Sequence, residues 1–319
     1  MHNNFLRYNP NIIWSLPVLF QYEPVWINLF NILKEHNISL PKIFAYGCPE
    51  CAWTGGRGST IMGEFTSSQL AKLFDLMNQL NAQPTIAFNN SQITKDNLKD
   101  PYCNLILNTA LYKNASYIVF SDDLKDYIKS KDSNAVVISS VIKAIEKFQN
   151  NSKSTFEDET KYYNELLKEY DIVNVRPEYS KNVLAKHPEV INDISRVQIL
   201  INQDCPQNCP LAMDRFHFIE NNSITDIYEN KVFFECPKEK TSTTLHTQKE
   251  VEILIENGVK HINLLGRGST KVMEAICMMI FSNIFNVENS MDIFRKILEI
   301  SFNQESSKFI NEIFHSSSC

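Results

Sequence analysis

Val197-Gln198-Ile199-Leu200-Ile201-Asn202-Gln203 runs directly into Asp204-Cys205-Pro206-Gln207-Asn208-Cys209-Pro210. The first part is a short apolar run bounded by turn formers, the pattern of a buried strand and its exit. Strands that are apolar on both faces belong to parallel sheets covered by helices. Two other places repeat the theme. Ile43-Phe44-Ala45-Tyr46-Gly47 leads into Cys48-Pro49-Glu50-Cys51, and Val232-Phe233-Phe234-Glu235 leads into Cys236-Pro237. Three Cys-Pro steps at strand exits predict thiolates converging on one end of a barrel.

Working outward, short runs rich in β-branched and aromatic residues alternate with longer amphipathic stretches. The runs expected as strands are residues 43–47, 85–88, 117–120, 136–139, 172–175, 197–201, 232–235 and 261–265. Helical periodicity marks 66–80, 94–112, 159–170, 247–256 and 270–285, with Thr66 and Ser67 available to cap the first. Eight strands, with helical stretches between most of them, predict an α/β fold, a TIM-like (β/α)8 barrel, over residues 41–285. Residues 1–40, with a helix-like segment at 25–35, read as a lead-in packing on the barrel. Residues 286–319 read as a C-terminal helical cap.

The 319 residues, 43% hydrophobic and 21% charged, fit one large globular domain. A net charge of -6 argues against a nucleic-acid partner. No apolar run approaches the roughly 20 residues of a membrane span, and the first residues lack a signal-peptide pattern. The expected location is therefore the cytoplasm, where clustered cysteines more often serve metal or redox chemistry than structural disulfides.

In a barrel of this kind the chemistry is carried by the loops at the carboxyl ends of the strands. Those exits hold Cys48 and Cys51, Arg176, Cys205 and Cys209, and Cys236. Four thiolates from three exits suit either a [4Fe–4S] cluster or a tetrahedral zinc, and spacing does not separate the two. Cys103 and Cys277 lie on amphipathic helices and read as small buried hydrophobes. Gly56-Arg57-Gly58-Ser59-Thr60 recurs identically as Gly266-Arg267-Gly268-Ser269-Thr270. The second copy joins the last strand to a helix, where backbone N–H groups and Arg267 favour an anion, with Arg57 as its counterpart in the first copy. Arg176 is placed to hold a carboxylate or phosphate, or else to pair with Glu178 or another nearby carboxylate. No Ser/His/Asp set is present to support hydrolysis by a triad.

The cysteine arrangement resembles the family historically called peptidase U32, in particular the oxygen-independent hydroxylases of ubiquinone biosynthesis. The resemblance spans roughly residues 41–279 and rests on one early cysteine, Cys48, and three later ones, Cys205, Cys209 and Cys236. It implies a barrel holding a [4Fe–4S] cluster on those four thiolates, with a homologous protein as partner. The function expected on this basis is oxygen-independent redox or group transfer on a small or anionic substrate. The alternative is a zinc-stapled binding or assembly protein without activity. Radical S-adenosylmethionine enzymes are a poorer match, because Ala212 stands where their third cysteine would fall.

Overall fold

A computed structural model describes residues 9–17, 31, 34–35, 42–55, 64–148, 154–203, 207–222, 234 and 246–264. Eight parallel strands close on themselves: β1 (Ile13–Leu16), β2 (Ile43–Gly47), β3 (Ala82–Phe88), β4 (Ser116–Val119), β5 (Val137–Ser139), β6 (Ile172–Val175), β7 (Val197–Leu200) and β8 (His261–Asn263). The longer described helices are α1 (Ser67–Gln79), α2 (Pro101–Tyr112), α3 (Asp122–Lys131), α4 (Val141–Phe148), α5 (Phe156–Glu169), α6 (Ala212–Asn221) and α7 (Gln248–Glu256). The chain is thus a (β/α)8 barrel, as its alternation predicts. Among the described residues no helix is long and apolar enough to cross a membrane.

Local chemistry explains where the helices begin. Thr66, Thr155 and Thr247 each form a reciprocal capping box with the residue three positions on, Gln69, Asp158 and Glu250. Asp100 caps α2, with Pro101 at its first position, and Ser121 caps α3. Asn81 and Asn114 take positive φ to turn the chain out of α1 and α2.

Closure corrects the sequence reading at one stave. Residues 232–235, expected as the seventh strand, are outside the described residues apart from Phe234. Phe234 is not in a strand, and β7 pairs directly with β8. The remaining place belongs to β1, which lies inside the stretch read as a lead-in and pairs with both β2 and β8. Its Ile-Trp-Ser-Leu sequence hides its role. Trp14 packs outward into the sheet–helix core, while Ser15 points inward and accepts a hydrogen bond from Gln198 Nε2 at 2.7 Å. The helices expected at 270–285 and in the C-terminal cap are outside the described residues.

Side chains alternate across each strand. One set, including Trp14, Ile43, Ile86, Phe88, Val173 and Ile199, merges with the helix faces into the main core. The other set fills the barrel, and its two halves differ. Phe44, Ala87, Ile118, Ile138 and Ile172 form an apolar wall over β2 to β6. From β6 round to β1 the inward positions include Asn174, Gln198, His261, Asn263 and Ser15, which form a buried polar wall.

His261 stacks on Phe44 at the foot of this interior, with ring centroids 6.0 Å apart. Burial, with Lys42 and Lys260 nearby, pulls its pKa from 6.5 down to about 4. The unfolded chain therefore takes up a proton below pH 6.5 that the folded chain refuses. Stability from the neutral ring is complete above that pH and is lost as pH falls toward 4, a change of about 3 kcal/mol. His261→Gln is expected to flatten the pH dependence of the unfolding midpoint across this window. An unchanged slope would exclude His261 as its source.

Candidate functional site

The carboxyl ends of the strands deliver a distinct set of side chains to one rim. Cys48 follows β2 directly and is half-buried against the apolar interior wall. Cys209, nine residues beyond the end of β7, is buried with Phe120, Ile142, Ile145, Ala212 and Met213, a cluster over the exits of β4 and β5. The two thiols thus occupy the same end of the barrel but separate packing clusters. Cys205, Cys236, Arg57, Gly266, Arg267, Gly268 and Ser269 are outside the described residues. Among the described residues, no three His, Cys, Asp or Glu side chains gather at metal-binding range.

Arg176, at the exit of β6, is locked into a buried ion pair. Its Nε and Nη2 donate to the two carboxylate oxygens of Glu159 on α5, each at 2.8 Å. Tyr163, one helical turn along α5, donates its hydroxyl to Glu159 at 2.7 Å and accepts from the Arg176 backbone N–H at 3.0 Å. Burial works against the Arg176 charge, but the Glu159 carboxylate more than offsets this and raises its pKa. The partner is thus a distant carboxylate on the preceding helix, not Glu178. Glu178 instead accepts the Asn208 backbone N–H at 3.0 Å, which ties the β6 exit to the loop carrying Cys209. Arg176 Nη1 is buried and has no hydrogen-bond partner among the described residues. The same holds for the acceptors Asn174 Oδ1 and Asn263 Oδ1 in the polar wall below. Buried polar atoms are normally satisfied, so these three atoms mark where a ligand or ordered water fits.

A cleft of about 580 Å³ opens beside the β4 and β5 exits, lined by Ser91, Ser121, Asp122, Lys143, Lys147 and Tyr162 among others. Asp122 begins α3 and accepts from the Tyr170 hydroxyl at 2.6 Å and from Lys143 Nζ at 3.0 Å. Burial pushes its carboxyl pKa up, yet the Tyr170 bond and the Lys143 charge together hold it below the usual value. Lys147 lies 4.2 Å from the centre of the Tyr162 ring. The sequence reading passed over Lys143, Tyr162 and Tyr170, because each sits inside a helix or at its end and meets Asp122 only through the fold. The Glu159–Tyr163 spacing of four did carry a signal, since it puts both on one helix face.

Cys103 belongs to the main core and Cys51 packs against that same core, an association absent from the sequence reading. Cys103 is fully buried near the start of α2, and the neighbouring Cys51 thiol together with burial holds its pKa well above the usual thiol value. The small-hydrophobe reading of Cys103 describes its burial.

No protein-family model matches the chain, and no curated protein matches it in sequence. Solved structures that resemble it include the U32 peptidase Mk0906, at 10% identity and a TM-score of 0.44, with 84% of this chain and 96% of that one covered. A candidate chitinase's C-terminal domain, from Desulfitobacterium hafniense DCB-2, aligns at 12% identity and a TM-score of 0.41, covering 93% and 99%. AbfB, a family 51 α-L-arabinofuranosidase from Bifidobacterium longum, aligns at 8% identity and a TM-score of 0.36, covering 81% and 67%.

Proposed function

We propose that the chain is an oxygen-independent iron–sulfur barrel enzyme that acts on a small anionic substrate at the carboxyl end of its strands. In this reading Cys48, Cys205, Cys209 and Cys236 hold a [4Fe–4S] cluster. The observation that carries it is that Cys48 and Cys209, the two described thiols of the set, both lie beyond the carboxyl ends of strands, where such barrels do their chemistry. When bound, such a cluster supplies electron transfer at a potential tuned by hydrogen bonds and solvent exposure.

The chain's own groups supply binding. Arg176 keeps its charge through Glu159 and has Nη1 left for a carboxylate or phosphate oxygen. Asn174 Oδ1 and Asn263 Oδ1 would accept hydroxyl or amide protons of the same ligand. The apolar wall opposite gives one face of the ligand no polar partner, which favours a substrate that is polar on one side only.

The test is iron, sulfide and zinc content on protein purified without oxygen, with absorption and EPR spectra, for the wild type and for Cys205→Ala. About four Fe and four sulfide per chain, lost in the variant, is the expected result. One zinc without colour would replace this reading with a zinc-stapled binding protein. Absence of both metals would overturn the thiolate assignment.

A further inference from the structure

Cys209 lies well beyond the end of β7, yet bonds on both sides of it fix its place on the rim. Just after it, the Cys209 carbonyl accepts the Ala212 N–H at 3.2 Å and opens α6, whose Ala212 and Met213 pack with Cys209 against Phe120, Ile142 and Ile145. Farther along α6, the Glu220 carboxylate accepts the backbone N–H and the hydroxyl of Ser91, at 3.1 and 2.7 Å, beside the exit of β3. Just before Cys209, Asn208 takes a left-handed turn at φ 53°, a conformation that asparagine tolerates better than most residues. The N–H of that turn donates to Glu178 Oε1 at 3.0 Å.

Glu178 is a costly choice for this bond. It is only 2% exposed, in the short turn Pro177–Tyr179 that follows Arg176. Arg176 directs Nε and Nη2 to Glu159 instead, and the Asn208 N–H is the one hydrogen bond of the Glu178 carboxylate among the described residues. Burying a carboxylate for one hydrogen bond lowers stability, and a leucine of similar size would fill the space with less penalty. Asn208 itself is exposed, so water can take its N–H in place of the carboxylate. What glutamate adds is a directional, charge-assisted bond to the residue next to Cys209.

We propose that Glu178 is a positioning residue for Cys209, whose carboxylate fixes the Asn208 turn and so holds the cysteine at the rim of the barrel. The downstream side of Cys209 is anchored separately, by the packing of Met213 and by the Ser91–Glu220 bonds, so loss of the Glu178 bond frees only the turn. The use of a fixed thiol rests on the reading of Cys209 as a cluster ligand, but the pinning itself does not. Groups that orient a metal ligand without touching the metal typically alter affinity by about 10–100-fold. Glu178 would stand in that relation to Cys209.

The experiment uses the full chain purified without oxygen, as wild type, Glu178→Leu and Glu178→Gln. Each is pulse-alkylated with N-ethylmaleimide and mapped by mass spectrometry, with Cys103, fully buried in the main core, as the reference for global opening. Cys209 should react roughly tenfold faster in Glu178→Leu than in the wild type, the loss expected for a hydrogen bond to a charged group. Glu178→Gln keeps an acceptor oxygen and should restore the slow rate, while Cys103 stays slow in all three. The denaturant midpoint of Glu178→Leu should equal or exceed that of the wild type. Should Glu178→Leu fail to fold, amide hydrogen exchange on the wild type decides, since the Asn208 N–H should exchange more slowly than that of its neighbour Gln207. Equal Cys209 rates in wild type and Glu178→Leu, a Cys103 rate that rises in step with Cys209, or an Asn208 amide as fast as Gln207 would each overturn the proposal. Iron and sulfide content of the same samples separates the two readings. A wild type without metal removes the cluster, whereas the ratio of Cys209 to Cys103 rates still decides the part played by Glu178.

Discussion

Replacing Glu159 by alanine is expected to lower stability by about 3–5 kcal/mol, because it strands a buried guanidinium. Both partners are nearly inaccessible, with side-chain exposures of 6% for Arg176 and 2% for Glu159, so water cannot replace the lost carboxylate. The alanine also removes the acceptor of the Tyr163 hydroxyl and leaves a second buried donor without its bond. Arg176→Met with Glu159→Leu should be far less harmful than either single change, since the double variant buries no charge. Denaturant midpoints for the two singles and the double would complete a cycle. A loss below about 1 kcal/mol for Glu159→Ala would mean that the pair is solvated in solution. The same cycle bears on function, because Arg176 can present Nη1 to an anion only while Glu159 holds its other two nitrogens.

The second large effect is expected at Trp14. Trp14→Ala should cost about 3–5 kcal/mol, the range for truncating a large aromatic in a packed core. Trp14 has no exposed surface and belongs to the core between sheet and helices. A tryptophan in a loosely attached N-terminal arm would cost much less, so this variant tests whether β1 is a stave of the barrel. Trp14→Phe, which keeps most of the volume, should recover much of the loss. A Trp14→Ala protein whose midpoint matches the wild type would remove β1 from the cooperative core.

The barrel was legible in the sequence wherever burial on both faces left an uninterrupted apolar run, as at Ile43–Gly47. It was not legible at β1, where a four-residue strand turns a serine inward to meet Gln198, a residue 183 positions away. Phe234 imitates the same apolar signal without occupying a place in the ladder. At the site, the sequence set Arg176 and Cys48 at strand exits by counting from apolar runs. The sequence could not choose Glu159 over Glu178, because that choice depends on the rotation of α5 against β6. The Trp53–Asn97 hydrogen bond has the same character, since the two segments meet only after β3 has been laid between them. Partners fixed by backbone periodicity can be read from one chain, whereas partners fixed by docking cannot.

The seam between β1 and β8 also sets a schedule for synthesis. Ile13 pairs with His261, so the first strand to leave the ribosome waits for the last to be made, about 250 residues later. At 5–20 residues per second the delay is roughly 12–50 s. Until then the sheet is an open curl with two unpaired edges, and the Ser15–Gln198 and Gln198–Asn263 contacts of the polar wall cannot all form. A nascent chain of this protein is therefore a natural client for chaperones that shield strand edges.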